Sequence, residues 1–118
     1  MNQQLTLDHA IARAEADAGM RSALEHAESE FPDWRNLAMA YLRRYAEAHA
    51  RFYGWEVVKT AELDKSFPAP ANSKAWGSQI QKAARLGLIE RVGAGPDPHR
   101  HGNLVPLWAS RIYNKLKL

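Results

Sequence analysis

The chain contains no cysteine. Disulfides and thiol catalysis are excluded, and a zinc site could draw only on histidines and carboxylates. No apolar run approaches the roughly 20 residues a membrane helix needs, so no membrane partner is expected. The opening residues, MNQQLTLDHAIARAEADAG, have no signal-peptide core and are acidic where a transit peptide is basic. A soluble cytoplasmic protein is the expectation. Internal repeats and low-complexity segments are missing as well. One further absence is local: no Asp or Glu occurs between Asp64 and Glu90.

What is present bounds the rest. A chain of 118 residues is one domain, with room for an appended helix. Chains of this size hide roughly two thirds of their unfolded surface. With 46% of residues hydrophobic, the chain is not a disordered tail. The net charge of +3 hides a segregation. Residues 1–32 carry six acids and two bases, whereas residues 33–118 carry fourteen bases and seven acids. Such segregation suggests an anionic partner for the basic part, against the plainer reading that Lys and Arg only solvate a surface.

The segment ending at Glu30 is rich in Ala and Glu and predicts a helix over 7–30, with Thr6 as its cap. Its apolar stripe, Leu7, Ile11, Ala14, Ala18, Leu24 and Ala27, is mostly alanine and is interrupted by Gly19. It therefore needs a partner, either the domain behind it or a second copy of itself; packing on the domain is favoured. After FPDW, with Asp33 as N-cap, a strongly periodic helix runs to Gly54, with Trp34, Leu37, Ala38, Tyr41, Leu42, Tyr45 and Ala48 on one face. WEVV (55–58) reads as a short strand. A helix capped by Thr60 follows, with Ala61, Leu63 and Phe67 inward, and it ends before PAPANS.

The basic helix spans 73–86, capped by Asn72 or Ser73, and buries Trp76, Ile80, Ala83 and Ala84. Lys74, Ser78, Gln81, Lys82 and Arg85 fall on its other side, with Gln79 near the edge. Gly87 ends it. LIERV (88–92) alternates as a strand, GAGPDPHRHGN reads as a loop, and LVPLWAS (104–110) as a returning strand that Pro106 places at an edge. The fold class is thus mainly α with a small β-wing (α+β): a winged helix-turn-helix over 33–118, preceded by an acidic N-terminal helix over 1–32.

The run KAWGSQIQKAARLGLIERVG, followed by HGNLVPLWAS, resembles small winged-helix proteins encoded by phages and prophages. These carry an AWG helix, an A-R-x-G-L-I-x-R-x-G lead-in to the wing and an HG-x-x-V-x-x-W return. The resemblance is clearest over 73–110 and extends over 33–110. It implies the fold; the group has no settled biochemical role.

A helix of this kind can enter the major groove of DNA. Lys74, Ser78 and Gln79 would sit nearest base edges, with Gln81, Lys82 and Arg85 further along. Gln suits adenine and Lys guanine, while Lys82 and Arg85 equally suit phosphates. The wing, 93–103, offers Arg100, His101 and Asn103 to the backbone or minor groove, with Arg91 on the wing strand. Arg43, Arg44 and Arg51 could extend the basic face. The expected function is a phage-like regulatory or replication-accessory DNA-binding protein, not an enzyme, with double-stranded DNA as partner and no cofactor. Dimerisation through the N-terminal helix is a further possibility.

Two other classes stay open. A winged helix can serve as an interaction module for a host or phage protein, as inhibitor or adaptor. Asp97, His99 and His101 alternate along the wing loop and could serve a metal-dependent nuclease, but no other ligand is near in sequence. No phosphate-binding glycine loop or hydrolase triad pattern occurs, and Trp76 and Trp108 suit the core better than base stacking.

Overall fold

The computed structural model describes residues 3–70 and 73–114, with side chains described from residue 13 onward. Among these residues the elements run α1 (Gln3–Glu30), α2 (Trp34–Ala48), β1 (Arg51–Tyr53), α3 (Gly54–Leu63), α4 (Ala75–Arg85), β2 (Ile89–Pro96) and β3 (Leu104–Ser110). The fold is α+β: four helices and a small antiparallel sheet with strand order β1-β3-β2. No described helix is long and apolar enough to cross a membrane.

Tryptophans anchor the core. Trp34 at the start of α2 and Trp76 at the start of α4 meet edge to face, their ring centroids 5.3 Å apart, and both are buried. Phe67 stacks on Trp76 at 5.5 Å, and Tyr41 closes the cluster from α2. The Trp34 indole N–H donates to the Pro68 carbonyl at 3.0 Å, which holds the proline-rich turn between α3 and α4 against the core. Leu42, Ala46, Phe52, Val57, Ala61, Ile80, Ala83 and Ile89 complete the packing.

Between α2 and α3 the order differs from the sequence expectation. The predicted helix stops at Ala48, where His49 turns extended (φ −131°, ψ 123°). The strand is Arg51–Tyr53, pairing with β3 through Arg51↔Ala109, Phe52↔Trp108 and Tyr53↔Leu107. WEVV is helical. Gly54 opens α3 where it was expected to close α2, and the Glu56 carboxylate accepts from the Tyr53 amide at 2.9 Å, half of a capping box. Val57 and Ala61, one turn apart, are its buried face. Thr60 lies inside that helix, its hydroxyl donating to the Glu56 carbonyl at 2.8 Å, and Leu63 is 77% exposed. Leu37, expected in the core, is 42% exposed.

Caps differ too. α1 is already helical at Thr6 and runs unbroken through Gly19. The Asp33 carboxylate accepts from the Asn36 side chain, not from a backbone N–H of α2; only the Asp33 carbonyl meets the helix, at the Leu37 amide. Lys74 occupies the N-cap of α4 without a side-chain cap; Ser73 contributes its carbonyl to the Trp76 amide, and Asn72 lies outside the described residues. Gly87, at φ 79°, ends α4 as expected.

The hairpin is longer than its sequence suggests. β2 extends to Pro96, taking in the glycines expected in the loop. Gly95 is required there, since a Cβ would overlap the Tyr53 hydroxyl. A bulge between Arg91 and Gly93 shifts the register. β3 is the central strand, not an edge, but β1 reaches only residues 107–109, so Pro106 needs no donor on that side.

Candidate functional site

Helix α4 carries the basic residues because its apolar ones are spent on the core. Ala75, Trp76, Ile80 and Ala83 are buried, which turns Gln81, Lys82 and Arg85 outward, all exposed. Lys74 is exposed at the helix start and Ser78 is half-buried. Gln79 departs from expectation: it is 2% exposed, so it is a seam residue, not an edge residue. Its side-chain oxygen is enclosed and has no hydrogen-bond partner among the described residues.

The seam is made by α1. This helix packs on its own chain, burying Ala23, Leu24 and Ala27, and its main contact is with α4. Met20 lies over Gly77: a Cβ at that glycine would overlap the Met20 sulfur. The missing side chain lets the helices approach closely. The Gln81 amide reaches the same sulfur at 4.0 Å. The acidic helix therefore lies along the Gly77–Gln81 edge of the basic one, beside its exposed cations. Its acids are partly engaged elsewhere, Glu28 with Arg35 at 2.9 Å and Glu30 with His26 at 3.1 Å.

Beside this contact runs an open groove of about 330 Å³. Ser78, Gln79, Gln81, Lys82 and Arg85 line one wall; Asp17, Met20, Arg21 and Leu24 line the other, and Arg35 of α2 joins them. Sequence reasoning found the α4 wall and missed the rest. Arg35 of α2 joins the groove, whereas Arg43 and Arg44 of the same helix and Arg51, which lies on β1, do not line it; Arg44 lies over the Tyr41 ring at 6.0 Å. Gly77 was the available signal, because a glycine inside an amphipathic helix commonly marks a close packing contact.

The hairpin residues form a separate group. Arg91 is exposed on β2, and Arg100, His101 and Asn103 are exposed at the tip. Asp97 shapes that tip. It is 5% exposed; its carboxylate accepts from the His99 amide at 2.8 Å and its carbonyl from Arg100 and Gly102. The Arg100 side chain lies 3.9 Å from its other oxygen. His101 (φ 53°) and Gly102 (φ 76°) complete the turn in left-handed conformations. Asp97 is thus committed to the turn, and the His99 ring leans edge-on against Trp55 at 5.5 Å. Among the described residues no group of three His, Asp or Glu side chains is placed to hold a metal.

Comparison of the chain with protein-family models, with curated proteins and with solved structures finds no match.

Proposed function

We propose that this chain is a DNA-binding protein of the winged-helix type, with α4 as its groove-facing helix and the β2–β3 hairpin as its wing. The element order supports the reading: a core helix, a short strand, two helices separated by a turn, and a hairpin whose second strand pairs with the first strand. The observation that carries it is the outward face of α4, which presents Gln81, Lys82 and Arg85 with no acid on the helix. Such a face attracts phosphate, and a carboxylate on it would repel. Arg91 and Arg100 on the hairpin supply further backbone contacts.

The position of α1 sets a condition. Met20 occupies the space over Gly77 and Gln81 that a base edge would need. Deep entry of α4 into a major groove therefore requires α1 to move aside. With α1 in place, only the flanking cations meet a duplex. The test is fluorescence anisotropy with a labelled mixed-sequence duplex at low and moderate salt, on the wild-type chain, Lys82→Glu/Arg85→Glu, and Met20→Cys/Gln81→Cys bridged by a short bis-maleimide. Expected are salt-sensitive binding, its loss in the charge-reversed variant, and weakening in the bridged one. No binding at low salt overturns the reading. The same covered face then favours the second reading, a module whose α4 docks on a protein once α1 is displaced.

A further inference from the structure

The groove between α1 and α4 shares Lys82 and Arg85 with the proposed duplex face and adds Arg21 and Gln79, which that face does not use. Its charge is unbalanced. Arg35 is neutralised by Glu28, but among the described residues Arg21, Lys82 and Arg85 make no ion pair. Among the described residues Asp17 is the one carboxylate in the lining. Three such cations against one acid leave the groove with an excess of about two positive charges, which matches a phosphate monoester above its second ionisation near pH 6. Ser78 adds a hydroxyl beside them.

Gln79 is the second, independent observation. It is 98% buried in the wall of this groove, and its carbonyl oxygen has no donor. An enclosed amide oxygen left unpaired has lost its water without a replacement bond, and is destabilising. Among the described residues no side chain supplies the N–H or O–H group that this oxygen lacks. Size narrows the occupant. A volume of 330 Å³ is at the small end of ligand sites, roughly 300–1,000 Å³. Asp17 and Met20 line its α1 side, which puts a carboxylate where a second phosphate of a polymer would have to run.

We infer that the α1–α4 groove is a binding site for a small phosphate monoester of mononucleotide size. Arg21 and Lys82 face the phosphate from opposite walls, and the Gln79 amide, enclosed in the unliganded seam, turns into the groove to accept from a donor of the ligand's sugar or base. Such a ligand bridges the two helices and holds α1 on α4. The site stands whether or not the chain binds DNA, and its test uses no polymer.

The four 5′-ribonucleoside monophosphates, ribose 5-phosphate and the matching unphosphorylated nucleosides are titrated into the ¹⁵N-labelled full chain. Amide shifts and calorimetry are the readouts. At least one monophosphate is expected to saturate below about 1 mM, shifting Ser78, Gln79 and Arg21, while its nucleoside does not. Arg21→Gln and Lys82→Gln are each expected to weaken it about tenfold, with the unliganded Tm unchanged. Gln79→Met is expected to raise the unliganded Tm yet weaken the ligand, a pair of effects that a purely structural glutamine would not produce. No saturable response up to about 5 mM, or binding that survives both charge removals, overturns the inference. Shifts confined to the hairpin tip do the same.

Discussion

Tyr41 and Tyr45 stand one turn apart on α2, and both phenols are pushed above their ordinary pKa. Burial is the chief cause for each, reinforced by Asp64 at Tyr41 and by Glu56 at Tyr45. The sign follows directly. Below the ordinary phenol pKa both states are neutral and the packing contributes in full. As pH rises past it, the unfolded chain ionises first, so stability is lost through the raised folded-state values. A Tyr41→Phe/Tyr45→Phe chain is expected to lose less stability between about pH 9 and 11 than wild type, read as urea midpoints. Asp64 acts in the opposite sense: the Ser66 hydroxyl and amide bonds hold its pKa down, so its share is lost as pH falls through that lowered value. Deeper in, Trp76→Ala empties the centre of a four-ring cluster and is expected to cost about 3–5 kcal/mol, seen as a lower urea midpoint at unchanged slope. That Trp76 belongs to the core was legible from its step of four to Ile80. That Gln79 would be enclosed was not, because helical spacing places a residue relative to its own helix and says nothing of what another element lays over it.

At the scale of elements, α4 and β3 were readable with close to their observed limits, since each has one apolar pattern and a clear stop. The α2–β1–α3 region was not. Phe52, Tyr53, Trp55, Val57 and Val58 are β-prone throughout, so local preference could not place a three-residue strand within them. Pairing with β3 and the Tyr53–Glu56 capping bonds decide it, and one of those partners is more than fifty residues away. Ser110 shows the same dependence: its hydroxyl donates to the Ala46 carbonyl at 2.6 Å, tying β3 to the end of α2. Gly77 gives the clearest test at this scale. Gly77→Ala gains about 1 kcal/mol of helix propensity but sets a methyl against the flexible end of Met20. Global stability is therefore expected to change by less than about 1 kcal/mol, while hydrogen exchange across residues 20–30 speeds up as α1 loosens. An unchanged exchange pattern would show that Met20 merely swings aside.

For the whole molecule, charge is sorted by element, and the sorted parts touch. The +3 total conceals an acidic α1 seated on a basic α4. If a duplex is held by these cations, each phosphate contact contributes about 0.9 to the slope of log K against log salt. Lys82→Gln/Arg85→Gln should then reduce that slope by about 1.8, with the residual slope carried by Arg91, Arg100 and their neighbours. A slope unchanged in that variant would place the nucleic acid elsewhere on the chain. The sheet also has a bearing on how the molecule behaves in a crowd of its own copies. With order β1-β3-β2, the far side of β2 is an open edge among the described residues, a place where another molecule could add a strand. The register shift between Arg91 and Gly93 breaks that edge in the middle, exposed Glu90 and Arg91 charge one end, and Pro96 removes a donor at the other. Self-association by strand addition is thereby discouraged, and the sheet stops at its third strand.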